Sequence, residues 1–412
     1  MVQIAVMGYG VVGSGVVEVL MKNANSISHK AGKRIEIRRI LDLRSFPESP
    51  LADRFTDNFE DIVNDPEIQI VVETIGGLKP AYDFVKRCLL AGKSVVTSNK
   101  ELVAAKGDEL LAIARERNLN FLFEASVGGG IPILRPLDQC LAANEVYEIA
   151  GILNGTTNFV LTKMIREGLP FDRALELAQR LGYAERNPSD DIDGHDACRK
   201  ICILASLAFG KHVYPEQVHT EGIGLLTLDD VKYASEWGGV IKLIGRARKR
   251  EDGRLECIVA PMILSRESQL AEVNDVFNGI LVRGDAIGDV VFYGQGAGKL
   301  PTASAVVADI IDEVKHIGAR KFLSWEPGEN GYVADYRGYS GSVMLRLKCK
   351  DVQAVHRSIE NMLGACSRVC VAQAPPDELA LVTPAVEERL IDEALASLSD
   401  AALVSRLRIA NL

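Results

Sequence analysis

Residues 2–13, VQIAVMGYGVVG, join a short β-rich run to three glycines, and the helical pattern VVEVLMKNA follows. That order restricts the fold more than any other feature of this 412-residue chain. Gly8 allows a tight turn at the strand end, Gly10 lets the backbone approach a pyrophosphate, and Gly13 lets the helix sit close to the strand. The phosphates would meet the partly positive helix N-terminus, where Val11 and Val12 supply the leading amides. The bland alternative is a glycine-rich turn with no ligand. Strand, glycines and helix in this order argue for a bound dinucleotide.

A second β-rich run, IEIRRILD, closes on Asp42, with a long loop expected over NANSISHKAGKR before it. An acid there takes adenosine ribose hydroxyls and favours NAD, whereas Arg44 would hold a 2′-phosphate and favour NADP. Both readings stay open, with slight preference for NADP. Strands at 69–74, 94–99 and 120–126 alternate with helices at 80–92 and 101–118. This is the pattern of a Rossmann-type, doubly wound parallel α/β sheet with right-handed crossovers. Ligands of such sheets sit outside the C-terminal strand ends, which points to E73-T-I-G-G77, with Thr74, and to T97-S-N-K100. Lys100 is placed either to reach cofactor and substrate or simply to face solvent. In E124-A-S-V-G-G-G-I131, three consecutive glycines expose carbonyls suited to a hard cation. A hinge between domains is the competing reading.

A net charge of -9 disfavours nucleic acid or an anionic membrane as the main partner. No apolar stretch reaches the roughly 18 residues of a membrane span, and the N-terminus has no basic region of a cleavable leader. The cysteines form no CxxC; Cys198/Cys202 and Cys366/Cys370 stand one helical turn apart. A reduced cytoplasmic protein without zinc or disulfides is expected.

Beyond about residue 131 a helix (131–141) and a strand (145–153) lead into N154-G-T-T-N158, which opens another helix. The leading amides of Gly155 and Thr156 would seat a carboxylate; a plain turn with Thr156 as cap is the alternative. Residues 182–200, GYAERNPSDDIDGHDACRK, then gather Glu185, Asp190, Asp191, Asp193 and Asp196 ahead of Lys200 and an apolar run. Most acidic runs are solvated loops. Here, however, Asp196 and Lys200 are four apart at a helix start and share one face. A lysine entering an apolar helix stays charged when ringed by carboxylates, and it can donate a proton to a developing alkoxide. His195 turns away from Asp196 and reads as a capping or surface residue.

The stretch from Ala178 to Lys200 resembles the signature of the homoserine dehydrogenases. The resemblance covers residues 1 to about 330 through GYGVVGSGV, ETIGG, TSNKELVA, EASVGGGIPI, NGTTN and YGQGAGKLPTASAVVADI, in the family's order. It implies NAD(P)-linked interconversion of L-homoserine and L-aspartate 4-semialdehyde, on the path to threonine, methionine and isoleucine. By the same resemblance, Glu185, Tyr183 and Asp191 would bind the substrate ammonium, and Gly155 and Thr156 its carboxylate. Asp196 would orient the reacting oxygen or a water beside it. Lys200 and Lys100 are the two candidates for proton transfer, and Lys100 also matches a cofactor-contacting position. The carbonyls of Glu124, Val127, Gly129 and Ile131 match a sodium-type site. Gly296 and Gly298, in G294-Q-G-A-G298, match the segment that returns to the cofactor. The implied organisation is a nucleotide domain over 1–130 and 295–325 and an α+β substrate and dimerisation domain over 131–294, in a homodimer or homotetramer. Aspartate-semialdehyde dehydrogenase, the nearest alternative, needs a nucleophilic cysteine with a histidine base, and no cysteine here sits in a loop of that character. A cofactor-sensing protein without catalysis would not need the Glu185, Asp196 and Lys200 constellation.

Residues 340–412 read strand, helix, strand, strand, helix, strand, which predicts a ferredoxin-like sandwich. The segment resembles the ACT regulatory domain. Its loop K350-D-V-Q-A-V355 lacks the proline and glycine of a ligand-holding turn, so threonine inhibition is expected to be weak or absent.

Overall fold

A computed structural model of the chain describes residues 1–412 apart from Arg320, Phe322 and Gln373. The chain forms two compact units. The first comprises Met1–Glu145, Cys202–Pro215 and Gly294–Glu329; the second comprises Val146–Ile201, Glu216–Tyr293 and Asn330–Leu412. Residues 131–145 and 202–215 therefore fold with the N-terminal segment, and the stretch 131–294 is not one body. The segment expected to return to the nucleotide domain, 295–325, lies in the first unit, although Arg320 and Phe322 within it are outside the described residues.

In the first unit a six-stranded parallel sheet runs in the order Phe55–Thr56, Ile35–Leu41, Val2–Met7, Ile68–Glu73, Ser94–Thr97, Phe121–Leu122. Its strand order reverses between Val2–Met7 and Ile68–Glu73, the point where such sheets open a ligand crevice. Ile4, Val6, Ile70, Val72 and Val96 are buried, as strands covered on both faces require. Helix Lys299–Lys315 adds Ala303, Val306, Val307 and Ile310 to the core that Val16, Val17 and Leu20 of helix Val11–Lys22 also fill. That shared apolar surface is what holds the returning segment.

Three local expectations change. The loop expected before the second strand contains helix Ala24–Ala31, ended by Gly32 at φ 72°; Ile27 and Ala31, four apart, bury against the core and hold it. The helix expected over 131–141 begins only at Leu134 and continues as a π turn over Pro136–Cys140; Pro132 offers no amide, and the amides of Ile133, Leu134 and Arg135 go to Glu124. The strand expected over 120–126 is Phe121–Leu122, followed by a 3-10 turn, Glu124–Ser126.

The second unit is built on a ten-stranded mixed sheet. Its path runs Gly288–Gln295, Phe277–Gly284, Val146–Ile152, Gly239–Lys249, Leu255–Ser265, Ala401–Ala410, Val343–Cys349, Glu378–Val382, Ser367–Arg368, with His219–Thr220 beside Leu255–Ser265. Met262–Leu264 pair in parallel with Arg408–Ala410, so the C-terminal strands continue the central sheet. Helices Val352–Leu363 and Glu388–Ala396 cover them, burying Val355, Ile359, Leu363 and Ile391 against Leu345, Leu347 and Leu379. The second strand expected in 340–412 is only Ser367–Arg368, and Gln373 lies outside the described residues. Among the described residues no helix is long and apolar enough to cross a membrane.

Candidate active site

In the second unit, Asn154 follows the strand Val146–Ile152 by two residues and caps helix Gly155–Glu167. Its Oδ1 accepts from the Thr157 amide at 2.8 Å and the Thr157 hydroxyl at 3.0 Å. Its Nδ2 donates to Asp191 Oδ1 at 2.7 Å and to Asp196 Oδ2 at 2.8 Å. Lys200 Nζ donates to that same Asp196 oxygen at 2.7 Å and to the Leu153 carbonyl at 2.8 Å. Asp196 is 3 % exposed and Lys200 8 %. Three charged side chains are thus gathered around one amide. The expected pairing of Asp196 with Lys200 on helix His195–Phe209 is present. Asp191 comes from a short helix, Ser189–Ile192, where a loop was expected. Burial raises the Asp191 carboxyl above the usual carboxylate range, and the neighbouring Asp196 charge adds to the rise.

The amides of Gly155 and Thr156 precede the first intrahelical bond, from Asn158 N to Asn154 O. Asn154, not Thr156, is the cap; the Thr156 hydroxyl donates to the Tyr183 carbonyl at 2.6 Å. Gly155 has a reason of its own, since a Cβ would stand 2.8 Å from the Val276 carbonyl oxygen. Tyr183 is exposed, its ring 5.0 Å from that of Phe159. Glu185 is also exposed and is not drawn into the hydrogen-bonded cluster; its carbonyl accepts from Gln179. His195 is exposed, and Asp190 pairs with Arg199 at 2.6 Å.

The first unit carries a cavity of about 520 Å³ whose lining includes Gly8, Gly10, Asp42, Arg44, Thr74 and Ile75. Gly13 packs as the motif demands: a Cβ there would sit 1.9 Å from the Gly8 carbonyl oxygen. At Gly10 a Cβ would meet nothing within 4 Å. Among the described residues no protein group accounts for this glycine, and the open space beside it is compatible with the close approach of a pyrophosphate. Thr74 Oγ1 braces the loop by donating to the carbonyls of Met7 and Gly8 at 3.1 and 2.9 Å. Val12 packs against the core, and Val11 is exposed. Asp42 accepts from the Tyr9 amide at 2.8 Å and from the Arg44 guanidinium at 2.9 Å through each oxygen. Arg44 chiefly, through these bonds, holds the Asp42 carboxyl well below its usual range.

Two loops at the sheet's C-terminal edge depend on Glu73, which the sequence did not single out by itself. Fully buried, its Oε1 accepts from the Ile75 and Gly76 amides at 2.7 and 3.1 Å, and its Oε2 from Thr97 Oγ1 at 2.5 Å. Burial raises its carboxyl. Asn99 donates to the Gly77 carbonyl and caps the helix Lys100–Glu116 that Lys100 begins. Asn154 is the other residue under-read from sequence. An asparagine in a cap position was the available sign, since it carries an acceptor and two donors where serine or threonine has one hydroxyl.

The glycine run has a packing reason as well. Gly128 and Gly129 adopt φ of 72° and 54°. A Cβ on Gly129 would lie 2.4 Å from the Gly296 carbonyl oxygen, and one on Gly130 2.8 Å from Pro301 Cβ. Gly130 N donates to Gln295 O at 3.1 Å, and Gly298, at φ 133°, starts helix Lys299–Lys315. The run is therefore a close backbone seam rather than a loose hinge. The Glu124 carboxylate is committed to the amides of Ile133, Leu134 and Arg135. Of the cysteines, Cys88, Cys198, Cys202, Cys257 and Cys349 are buried, and burial pushes the Cys88 thiol up to about 12, so these are poor nucleophiles.

Two family models match the chain: "Homoserine dehydrogenase, NAD binding domain" over residues 8–124 and "Homoserine dehydrogenase" over residues 132–311. A homoserine dehydrogenase of Pseudomonas aeruginosa is 38% identical over 413 residues, covering 96% of this chain and 95% of that protein. The crystal structure of a homoserine dehydrogenase from Thiobacillus denitrificans superposes with a TM-score of 0.89 at 38% identity, covering 100% of this chain and 98% of that one. A hyperthermophilic archaeal homoserine dehydrogenase solved in complex with NADPH gives a TM-score of 0.65 at 30% identity, covering 76% of this chain and 97% of that one.

Proposed function

Since this chain belongs to the homoserine dehydrogenase family, we propose that Lys200 transfers the proton in its reaction and that Asp196, Asn154 and Asp191 hold the lysine in place. The enzyme is an NAD(P)-dependent oxidoreductase that interconverts L-homoserine and L-aspartate 4-semialdehyde in amino-acid biosynthesis. The nicotinamide, when bound, supplies or accepts the hydride. During reduction the aldehyde oxygen gains negative charge, which the Lys200 ammonium stabilises and protonates; during oxidation the amine takes the hydroxyl proton. The observation carrying this assignment is the buried Lys200–Asp196 contact at 2.7 Å, with Asn154 bridging to Asp191. Glu185, with Tyr183 and Asp191, is assigned to the substrate ammonium, and the leading amides of Gly155 and Thr156 to its carboxylate. Lys100 is the rival for proton transfer. Lys200→Ala should lower kcat by roughly 10²–10⁴-fold with cofactor affinity nearly unchanged. Full activity in that variant, with turnover abolished in Lys100→Ala, would transfer the role to Lys100.

The same reading makes NADP the preferred cofactor. The Asp42 side chain is largely covered and its oxygens already accept from Tyr9 and Arg44, whereas the Arg44 guanidinium that pairs with it is exposed, which favours contact with a 2′-phosphate over a ribose hydroxyl on Asp42. A sodium-type ion is assigned to the carbonyls of Glu124, Val127, Gly129 and Ile131, supported by hard oxygen donors on a tightly turned backbone. The C-terminal strand order, Ala401–Ala410, Val343–Cys349, Glu378–Val382, Ser367–Arg368, with antiparallel neighbours, supports an ACT-like module. Asp351 in its first loop caps helix Val352–Leu363, in keeping with a module that serves assembly into a homodimer or homotetramer more than threonine sensing. A cytoplasmic location completes the assignment.

A further inference from the structure

Lys242 lies within the second unit, in the middle of strand Gly239–Lys249, and is 1 % exposed. Its ammonium donates to the Val273 carbonyl at 2.5 Å, to Asn158 Oδ1 at 3.2 Å and to Asn274 Oδ1 at 3.3 Å. All three acceptors are neutral, and no carboxylate among the described residues forms an ion pair with it. A buried ammonium with no carboxylate in direct contact is costly to keep. Burial, with the nearby Arg166 adding to it and the charges of Glu272 and Asp275 opposing, draws Lys242 down to about 8.

Lys242 borders a cavity of about 240 Å³ whose lining includes Arg166, Arg266, Ser235, Glu272 and Asn274. Arg166 stands 3.7 Å from Glu272, a loose pairing, and the exposed Arg266 donates to the neutral Ser235 hydroxyl at 2.9 Å. Three cationic side chains thus stand around an open volume lined by one carboxylate, Glu272, with the charge of Asp275 also felt at Lys242. We propose that this cavity binds a small polyvalent oxyanion, carboxylate or phosphate in chemistry, held by Lys242, Arg166 and Arg266. Such an anion adds to the partial counter-charge of Glu272 and Asp275, and its oxygens match the fork of the guanidinium groups. The proposal is independent of the assignment of Lys200.

The experiment is calorimetric titration of the full-length protein with inorganic phosphate and, separately, with succinate. Ionic strength is held constant against a chloride control, and NADPH is kept saturating so that the glycine loop is filled. The two arms distinguish a phosphate group from an organic acid. Binding of at least one anion above the chloride control is expected, weakened by about tenfold or more in both Lys242→Met and Arg266→Gln. Arg266→Gln, on the exposed rim, keeps the test readable should Lys242→Met not fold. The proposal falls if neither anion binds above chloride, or if affinity is unchanged in Arg266→Gln. It falls equally if Lys242→Met lowers the melting temperature while leaving anion affinity intact, the mark of a lysine that only ties the 273–274 backbone to Asn158.

Discussion

Asn154→Ser isolates the work of one amide group. Asn154 accepts from Thr157 N through Oδ1 and donates through Nδ2 to Asp191 at 2.7 Å and Asp196 at 2.8 Å. Serine caps a helix about as well as asparagine, so helix Gly155–Glu167 keeps its start. A serine hydroxyl that accepts at the cap has one O–H left to donate, on a shorter side chain, and does not replace two donors to two carboxylates. Each lost bond is charge-assisted, worth about 1.5–3 kcal/mol. Water recovers part of the loss at the half-buried Asp191, but little of it at Asp196, which is 3 % exposed. A net loss of about 2–4 kcal/mol follows. If it appears in the reaction barrier, kcat/KM falls about 30- to 1000-fold. The assay is steady-state homoserine oxidation, followed by formation of reduced nicotinamide, with Asn154→Ala measured alongside. Alanine loses bridge and cap together, so its kinetics should match those of serine while its stability falls by about a further 1 kcal/mol. Wild-type kcat/KM in Asn154→Ser would refute the view that this amide organises Lys200 and Asp196.

Arg44→Ala should weaken NADP more than NAD, by about 1–3 kcal/mol if it pairs with the 2′-phosphate; equal losses for both cofactors in a binding titration would remove Arg44 from that role. Asp191→Asn tests the electrostatics of the cluster. The folded-state value of Asp191 lies above its unfolded one, so between the two the native state holds the extra proton and stability falls as pH rises through that window. The variant should lose this fall. Acidification should also raise KM for homoserine in the wild type as the carboxylate is protonated, whereas the variant should keep a high KM throughout. Identical KM profiles in the two proteins would exclude Asp191 from the substrate ammonium.

The nucleotide-binding half was legible because its constraints are local. Gly13 faces Gly8 five residues earlier, and strands and helices alternate within short windows of the chain. Asp196 and Lys200 were legible for the same reason, since helical period puts residues four apart on one face. Helix Ala24–Ala31 was not, because only Ile27 and Ala31 within it are buried, too few to show a period among polar neighbours. The reason for the glycine run was hidden too. It lies in the approach of Gly296, a partner far along the chain that no local pattern names.

Sequence alone determined which groups the chain brings: glycines before a helix, a lysine one turn from an aspartate, and a run of carboxylates ahead of an apolar helix. Tertiary structure decided which further carboxylate joins that pair, through Asn154. Asn154 reaches Asp191 across 37 positions and Asp196 across 42, and Lys200 reaches Leu153 across 47. Contacts at such separations are selected by chain closure and by the cost of leaving a buried polar group unpaired. Neither is written in the spacing of residues. Glu185, adjacent to the same motif, stays exposed and outside the network, while Asp191, six positions later, is drawn in.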